Sequence, residues 1–263
     1  MNPVTLYEHV LSPYAQKVKI ALREKGVAFE VAISQDVGPG GAAGGFVKVN
    51  PRAEVPALID GDVSVFDSTI ILEYLEDRWP SPPLLPASPA DRARVRMIEE
   101  VMDTHFEAVN WGMGELNWFG RAKGDLAKTL TEAAARQTRG FFSWLEGELG
   151  DRPWFNGEAF GWGDLSVVPY VGTAISVGNK PAEGSKLAAW FERATARDSV
   201  ATTIAEARAF SMPASGLSEA VAAGLFKREY RDHRLEWMIK SGGLDVVVDG
   251  LKAGNIRFSP DFG

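Results

Sequence analysis

The sequence predicts an α/β domain followed by an all-α domain. Two observations carry this: residues 4–75 alternate strand and helix signals in the order βαβ, irregular segment, ββα, and residues 90–210 repeat apolar positions at helical spacing. Between them, Pro80, Pro82, Pro83, Pro86 and Pro89 disfavour both helix and central strand, because proline lacks the amide donor. The expected divisions are 1–80 for the α/β domain, 81–89 for a linker, 90–210 for the helical domain and 211–263 for a helical C-terminal extension.

Val4-Thr5-Leu6-Tyr7 reads as a short strand. Ser12-Pro13 then supplies an N-cap and a proline at the first helical position; Val18, Ala21 and Leu22 share a face, and Lys25-Gly26 sets a cation and a stop at the helix end. Phe29 to Ile33 closes a βαβ unit. After the glycine-rich stretch 35–45, Val55-Pro56-Ala57-Leu58-Ile59 and Val63-Ser64-Val65-Phe66 flank Asp60-Gly61-Asp62, a hairpin signal. Asp67-Ser68 caps a helix in which Ile70, Ile71, Tyr74 and Leu75 repeat at helical spacing. In the second domain, helices are expected over 92–109, 126–149, 163–177 and 187–195, and one amphipathic helix over 219–240.

Composition narrows the functional classes. The chain has 263 residues, 45% of them hydrophobic, so it can bury a core of ordinary size. A net charge of −7 offers no basic field for nucleic acid or anionic lipid. No apolar run has membrane-spanning length and Met1-Asn2-Pro3-Val4 is no secretory leader, so a cytoplasmic protein is expected. The absence of cysteine excludes disulfides, thiolate nucleophiles and metal-thiolate sites; any sulfur chemistry must use a sulfur that arrives with a ligand. His9, His105 and His233 lie far apart without metal-ligand spacing, and no metal is expected.

Specific motifs add a resemblance. The segment Ser12-Pro13-Tyr14-Ala15-Gln16-Lys17-Val18-Lys19-Ile20-Ala21-Leu22-Arg23-Glu24-Lys25-Gly26 is followed, in order, by Asn50-Pro51, Val55-Pro56-Ala57-Leu58, Asp67-Ser68-Thr69-Ile70-Ile71-Leu72-Glu73-Tyr74-Leu75 and Phe160-Gly161-Trp162-Gly163-Asp164-Leu165. Over residues 4–200 the chain resembles the soluble glutathione transferases, with a thioredoxin-like N-terminal domain, an all-α C-terminal domain and a serine-type first helix closest to the tau class. The extension beyond 210 carries no such likeness. The resemblance implies glutathione as co-substrate, a small hydrophobic and aromatic electrophile as partner, and a homodimer.

It also implies residue roles. Ser12 would direct its hydroxyl at the ligand sulfur; a hydroxyl and a helix N-terminus together could lower a thiol pKa by about two units, or ~2.7 kcal/mol. Capping alone also explains Ser12, and Tyr7 competes for the same task from the first strand. Val55-Pro56, expected cis, would pair its backbone with the cysteinyl part of the tripeptide. Asp67 and Ser68 would meet the ammonium and carboxylate of the γ-glutamyl end. Arg52 and Glu54 flank the glycyl end, and Glu54 departs from the glutamine or lysine usual there, an anion that Arg52 or Lys48 would have to offset. Tyr14, Trp111, Met113 and Trp118 are candidate walls of the electrophile site, with core packing as the alternative for the tryptophan-rich cluster.

Other features read plainly. Gly161 stands where the capping box usually has serine or threonine, leaving Asp164 to reach back. Gly38-Pro39-Gly40-Gly41-Ala42-Ala43 fits a dinucleotide pattern only formally, since no long helix follows. The Glu99-Glu100-Asp103-Glu107 run and the arginines Arg228, Arg231 and Arg234 are expected on solvated faces. Two alternatives to a general transferase stay open: a non-catalytic binding or regulatory protein, and a narrow enzyme that cleaves aryl ethers or acts as a lyase.

Overall fold

A computed structural model describes residues 3–33, 45–210, 216–224 and 227–258; the glycine run 38–43 and the pair Leu225-Phe226 lie outside them. The chain forms two compact units, neither continuous in sequence. Met1–Ser34, Glu54–Asp103 and Phe142–Ser211 make one; Gln35–Ala53, Thr104–Phe141 and Met212–Gly263 make the other.

The first unit is built on a four-stranded sheet of β1 (Val4–Tyr7), β2 (Phe29–Ala32), β3 (Ala57–Asp60) and β4 (Val63–Phe66), in the order β2-β1-β3-β4. β1 runs parallel to β2 and antiparallel to β3, which pairs antiparallel with β4. Helix α1 (Pro13–Glu24) starts on Ser12, whose Oγ accepts the Ala15 N–H at 3.3 Å. It ends at Gly26, where φ is +64°; the Gly26 and Val27 N–H groups return to the Arg23 and Leu22 carbonyls, and glycine takes that conformation without a Cβ penalty. Its residues Lys17 to Leu22 are buried, and it packs on α2 (Ser68–Arg78), α6 (Trp162–Ser176) and α8 (Asp198–Ala209). Helix α3 (Pro89–Val101) also packs on α6, and α7 (Lys186–Thr195) packs on α6 and α8.

The proline segment is tied down rather than loose. The Lys25 ammonium bonds the Trp79 and Pro82 carbonyls at 2.7 and 3.0 Å, while Glu76 accepts the Leu84 and Leu85 amides at 3.0 and 3.1 Å. Leu84 and Leu85 are buried, and both Val55-Pro56 and Ser81-Pro82 are cis.

Where one helix is expected over 92–109, the chain has α3, a π turn at Met102–Phe106 and then α4 (Glu107–Asn117). Of the acidic run only Glu100 is exposed. Glu99 and Glu107 are buried, and the Asp103 side chain is only 13% exposed. Glu99 and Asp103 share the buried Lys17, and Glu107 faces the part-buried Arg234, pairings that a helical pattern read by itself does not reveal.

The second unit contains α4, the first part of α5 (Gly124–Leu149), α9 (Leu217–Ala222), α10 (Asp232–Lys240), α11 (Leu244–Lys252) and a two-residue parallel ladder of β5 (Arg228–Glu229) with β6 (Ile256–Arg257). The continuous helix expected over 219–240 is thus broken. The arginines that suggested its wet face turn inward: Arg228 bonds Glu115, which is fully buried, and Arg234 chelates Glu107 with contacts of 2.6 to 3.2 Å. His233 Nε2 lies 2.9 Å from the same Glu107 carboxylate. Burial would push Glu107 up, but Arg234 and then His233 hold it down at about 2.

Candidate active site

The sheet register gathers half of the predicted site. Tyr7 at the end of β1 lies opposite Ala57, which follows the cis Val55-Pro56 pair, and Ala57 lies opposite Phe66, just before Asp67. The loop after Tyr7 leads to Ser12. Tyr7, Ser12, Val55, Pro56, Asp67 and Ser68 therefore share one end of the sheet, as a strand-end site in an open α/β layer should. Arg52, Trp111, Met113 and Trp118 belong to the second unit.

Ser12 is half-buried, with extended backbone at φ −73° and ψ 118°. Its oxygen is occupied as an acceptor by Ala15, while its own proton has no acceptor among the described residues. A hydroxyl so arranged can donate to an arriving sulfur at the positive end of α1. Tyr7 is also half-buried.

Val55 is half-buried, and its N–H and C=O form no hydrogen bond among the described residues; they offer one strand-like pairing position beside Ser12's end of the sheet. Asp67 adopts φ +72° and ψ 126°, unfavourable for a residue with a Cβ. Its Oδ1 accepts the Thr69 N–H at 3.1 Å, the N-cap bond of α2. The Ser68 N–H and hydroxyl at this helix start have no partner among the described residues. Two donors at a helix N-terminus suit a carboxylate.

Behind this end lies a polar cluster that sequence reasoning missed. Lys17 Nζ lies 2.5 Å from both Glu99 and Asp103. Glu99 also accepts from the Thr69 hydroxyl at 2.9 Å and from Trp162 Nε1 at 2.6 Å, and Asp103 accepts from the Tyr170 hydroxyl at 2.7 Å. Tyr14 donates its hydroxyl to the Asp103 carbonyl at 2.7 Å and stands edge-on to Tyr170, so only its ring is left to face a ligand. Burial raises Asp103 to about 6, against the pull of Lys17; burial lowers Lys17, but the two carboxylates more than offset this and hold it above an ordinary lysine. One signal did exist: Lys17 lies one turn before Ala21 on the apolar face of α1, and a lysine there requires a buried counter-charge.

In the second unit, the Arg52 N–H bonds Asn50 Oδ1 at 2.9 Å. The Trp111 ring meets Tyr230 edge-on at 4.7 Å and is flanked by Arg228 and Arg234; Met113 is buried. These contacts favour the packing alternative for Trp111 and Met113. Trp118, 41% exposed, keeps a face open. Among the described residues no cluster of three or more histidines and carboxylates could hold a metal, and no helix is long and apolar enough to cross a membrane.

Comparison with known proteins identifies the family. The family models "Glutathione S-transferase, N-terminal domain" and "Glutathione S-transferase, C-terminal domain" match residues 6–83 and 128–193. Glutathione S-transferase U28 of Arabidopsis thaliana is 32% identical over 212 residues, 78% of this chain and 90% of the relative. A stringent starvation protein A homolog of Haemophilus influenzae is 31% identical over 78% of this chain and 91% of its own. A rice glutathione S-transferase solved in complex with glutathione is 29% identical with a TM-score of 0.63, over 77% of this chain and 92% of that one. With both domain models matched in order and a relative aligned over nine-tenths of its length, this chain belongs to the glutathione S-transferase family.

Proposed function

We propose that this protein ionises the thiol of glutathione at Ser12 and transfers the sulfur to a small hydrophobic, aromatic electrophile. The observation that carries the reading is the Ser12 hydroxyl, which receives the Ala15 amide at 3.3 Å and keeps its proton for another acceptor. That proton and the N-terminus of α1 stabilise a thiolate. Val55 pairs with the cysteinyl backbone, and Ser68 and Asp67 take the γ-glutamyl carboxylate and ammonium, with Glu54 near the glycyl end. The Tyr14 ring contributes apolar wall for the electrophile. On a chloroarene the thiolate attacks the chlorine-bearing carbon; the C–S bond forms, the C–Cl bond breaks, chloride leaves and the thiol proton passes to water. Residues 1–80 would thus hold the peptide and 90–210 the electrophile, in a cytoplasmic homodimer.

The test is glutathione conjugation to 1-chloro-2,4-dinitrobenzene by wild type, Ser12→Ala and Tyr7→Phe. Ser12→Ala should lose about 10- to 100-fold in kcat/KM at pH 6.5, the worth of a hydrogen bond to a charged sulfur. Full activity in both variants would refute the mechanism. A non-catalytic binding role is the second reading, favoured by Glu54 and by the similarity to a stringent starvation protein A homolog. It predicts saturable glutathione binding, or none, without conjugation.

A further inference from the structure

Asp67 holds an unfavourable backbone conformation at the mouth of α2, and such strain persists only where its surroundings over-determine it. Two bonds converge on the adjacent Thr69: its N–H bonds Asp67 Oδ1 at 3.1 Å, and its hydroxyl bonds Glu99 Oε1 at 2.9 Å. Glu99 is itself fixed by Lys17 at 2.5 Å and Trp162 at 2.6 Å, and it is buried. A carboxylate locked from α1 and α6 thereby anchors the first turn of α2, whose Ser68 N–H and hydroxyl are left without a partner among the described residues.

We infer that Glu99, acting through Thr69, is a positioning residue that holds the strained Asp67-Ser68-Thr69 turn in the geometry that receives the γ-glutamyl end of the thiol ligand. The inference rests on the glutathione reading above. Lys17 joins the same cluster to α1, the helix that begins at Ser12, so the two halves of the site share one rigid support. Glu99 touches no ligand in this scheme. Its contribution is to spare the turn a reorganisation on binding, which appears as affinity for the peptide rather than as reactivity of the sulfur.

Thr69→Val removes the bond while keeping shape, and Thr69→Ser restores the hydroxyl. Glutathione affinity is measured by calorimetry, with KM for glutathione, kcat and the pH profile of kcat/KM from conjugation of 1-chloro-2,4-dinitrobenzene. Thr69→Val should raise Kd and KM for glutathione about tenfold, leave kcat and the thiol pKa close to wild type, and be rescued to within about threefold by Thr69→Ser. Unchanged Kd and KM in Thr69→Val, with wild type binding normally, would overturn the positioning role alone. The same holds if serine fails to rescue, or if kcat falls while KM stays. Absence of glutathione binding by wild type would remove the underlying reading, and the inference with it.

Discussion

Replacing Glu107 with glutamine tests the electrostatic latch of the C-terminal extension. The carboxylate sits at about 2 against an ordinary 4.5, a difference of 2.5 units, with Arg234 and His233 as its partners and a side chain only 5% exposed. At 1.36 kcal/mol per unit this corresponds to about 3 kcal/mol of stability, undiminished by solvent screening. The folded pKa is depressed, so the contribution is complete above pH 4.5 and is lost as pH falls toward 2. Glu107→Gln should therefore lower the unfolding free energy by about 3 kcal/mol at pH 7 and by less than about half of that at pH 3, where wild type has surrendered most of the advantage. In a chain of this size the neutral-pH deficit amounts to a melting shift of about 6–12 °C. Urea unfolding followed by tryptophan fluorescence at both pH values measures it, since Trp111 and Trp237 lie in the same unit. A deficit below about 1 kcal/mol at pH 7, or one of equal size at pH 3, would refute the account.

Gly161→Ser, which would supply the capping residue the motif lacks, should destabilise rather than help. The added Cβ would overlap the Leu84 carbonyl and stand 2.7 Å from Asn156 Cγ, while Asp164 already accepts the Gly161 N–H at 3.1 Å. A loss of about 1–3 kcal/mol in chemical denaturation is expected, and any gain would count against the reasoning. Lys17→Met should cost about 3–5 kcal/mol by leaving Glu99 and Asp103 facing each other without a cation. Asp103 is raised to about 6, chiefly by burial, so its favourable contribution belongs to the protonated form and fades as pH rises through 6. The Lys17→Met deficit should accordingly be smaller at pH 5 than at pH 8 in urea titrations, and the opposite order would sink the assignment.

Local chemistry determined much of this protein. Short β-prone runs, the Ser12 and Asp67 caps, the Lys25-Gly26 stop and the Asp-Gly turn each act within a few residues, and each element of the N-terminal layer formed where those signals stand. The helices at 124–149, 162–176 and 186–195 were likewise legible from apolar spacing. Tertiary structure decided which charges are dry. Nothing within a helical turn distinguishes Glu99 or Glu107 from a solvated acid, because the cations that neutralise them come from Lys17 and from Arg234, 82 and 127 positions away. The same holds for the extension: charges at 228–234 look like a wet helix face until Glu107 and Glu115 draw them inward. A residue's own segment fixes its backbone, whereas its protonation and its role depend on the low-dielectric neighbours that only the folded chain supplies.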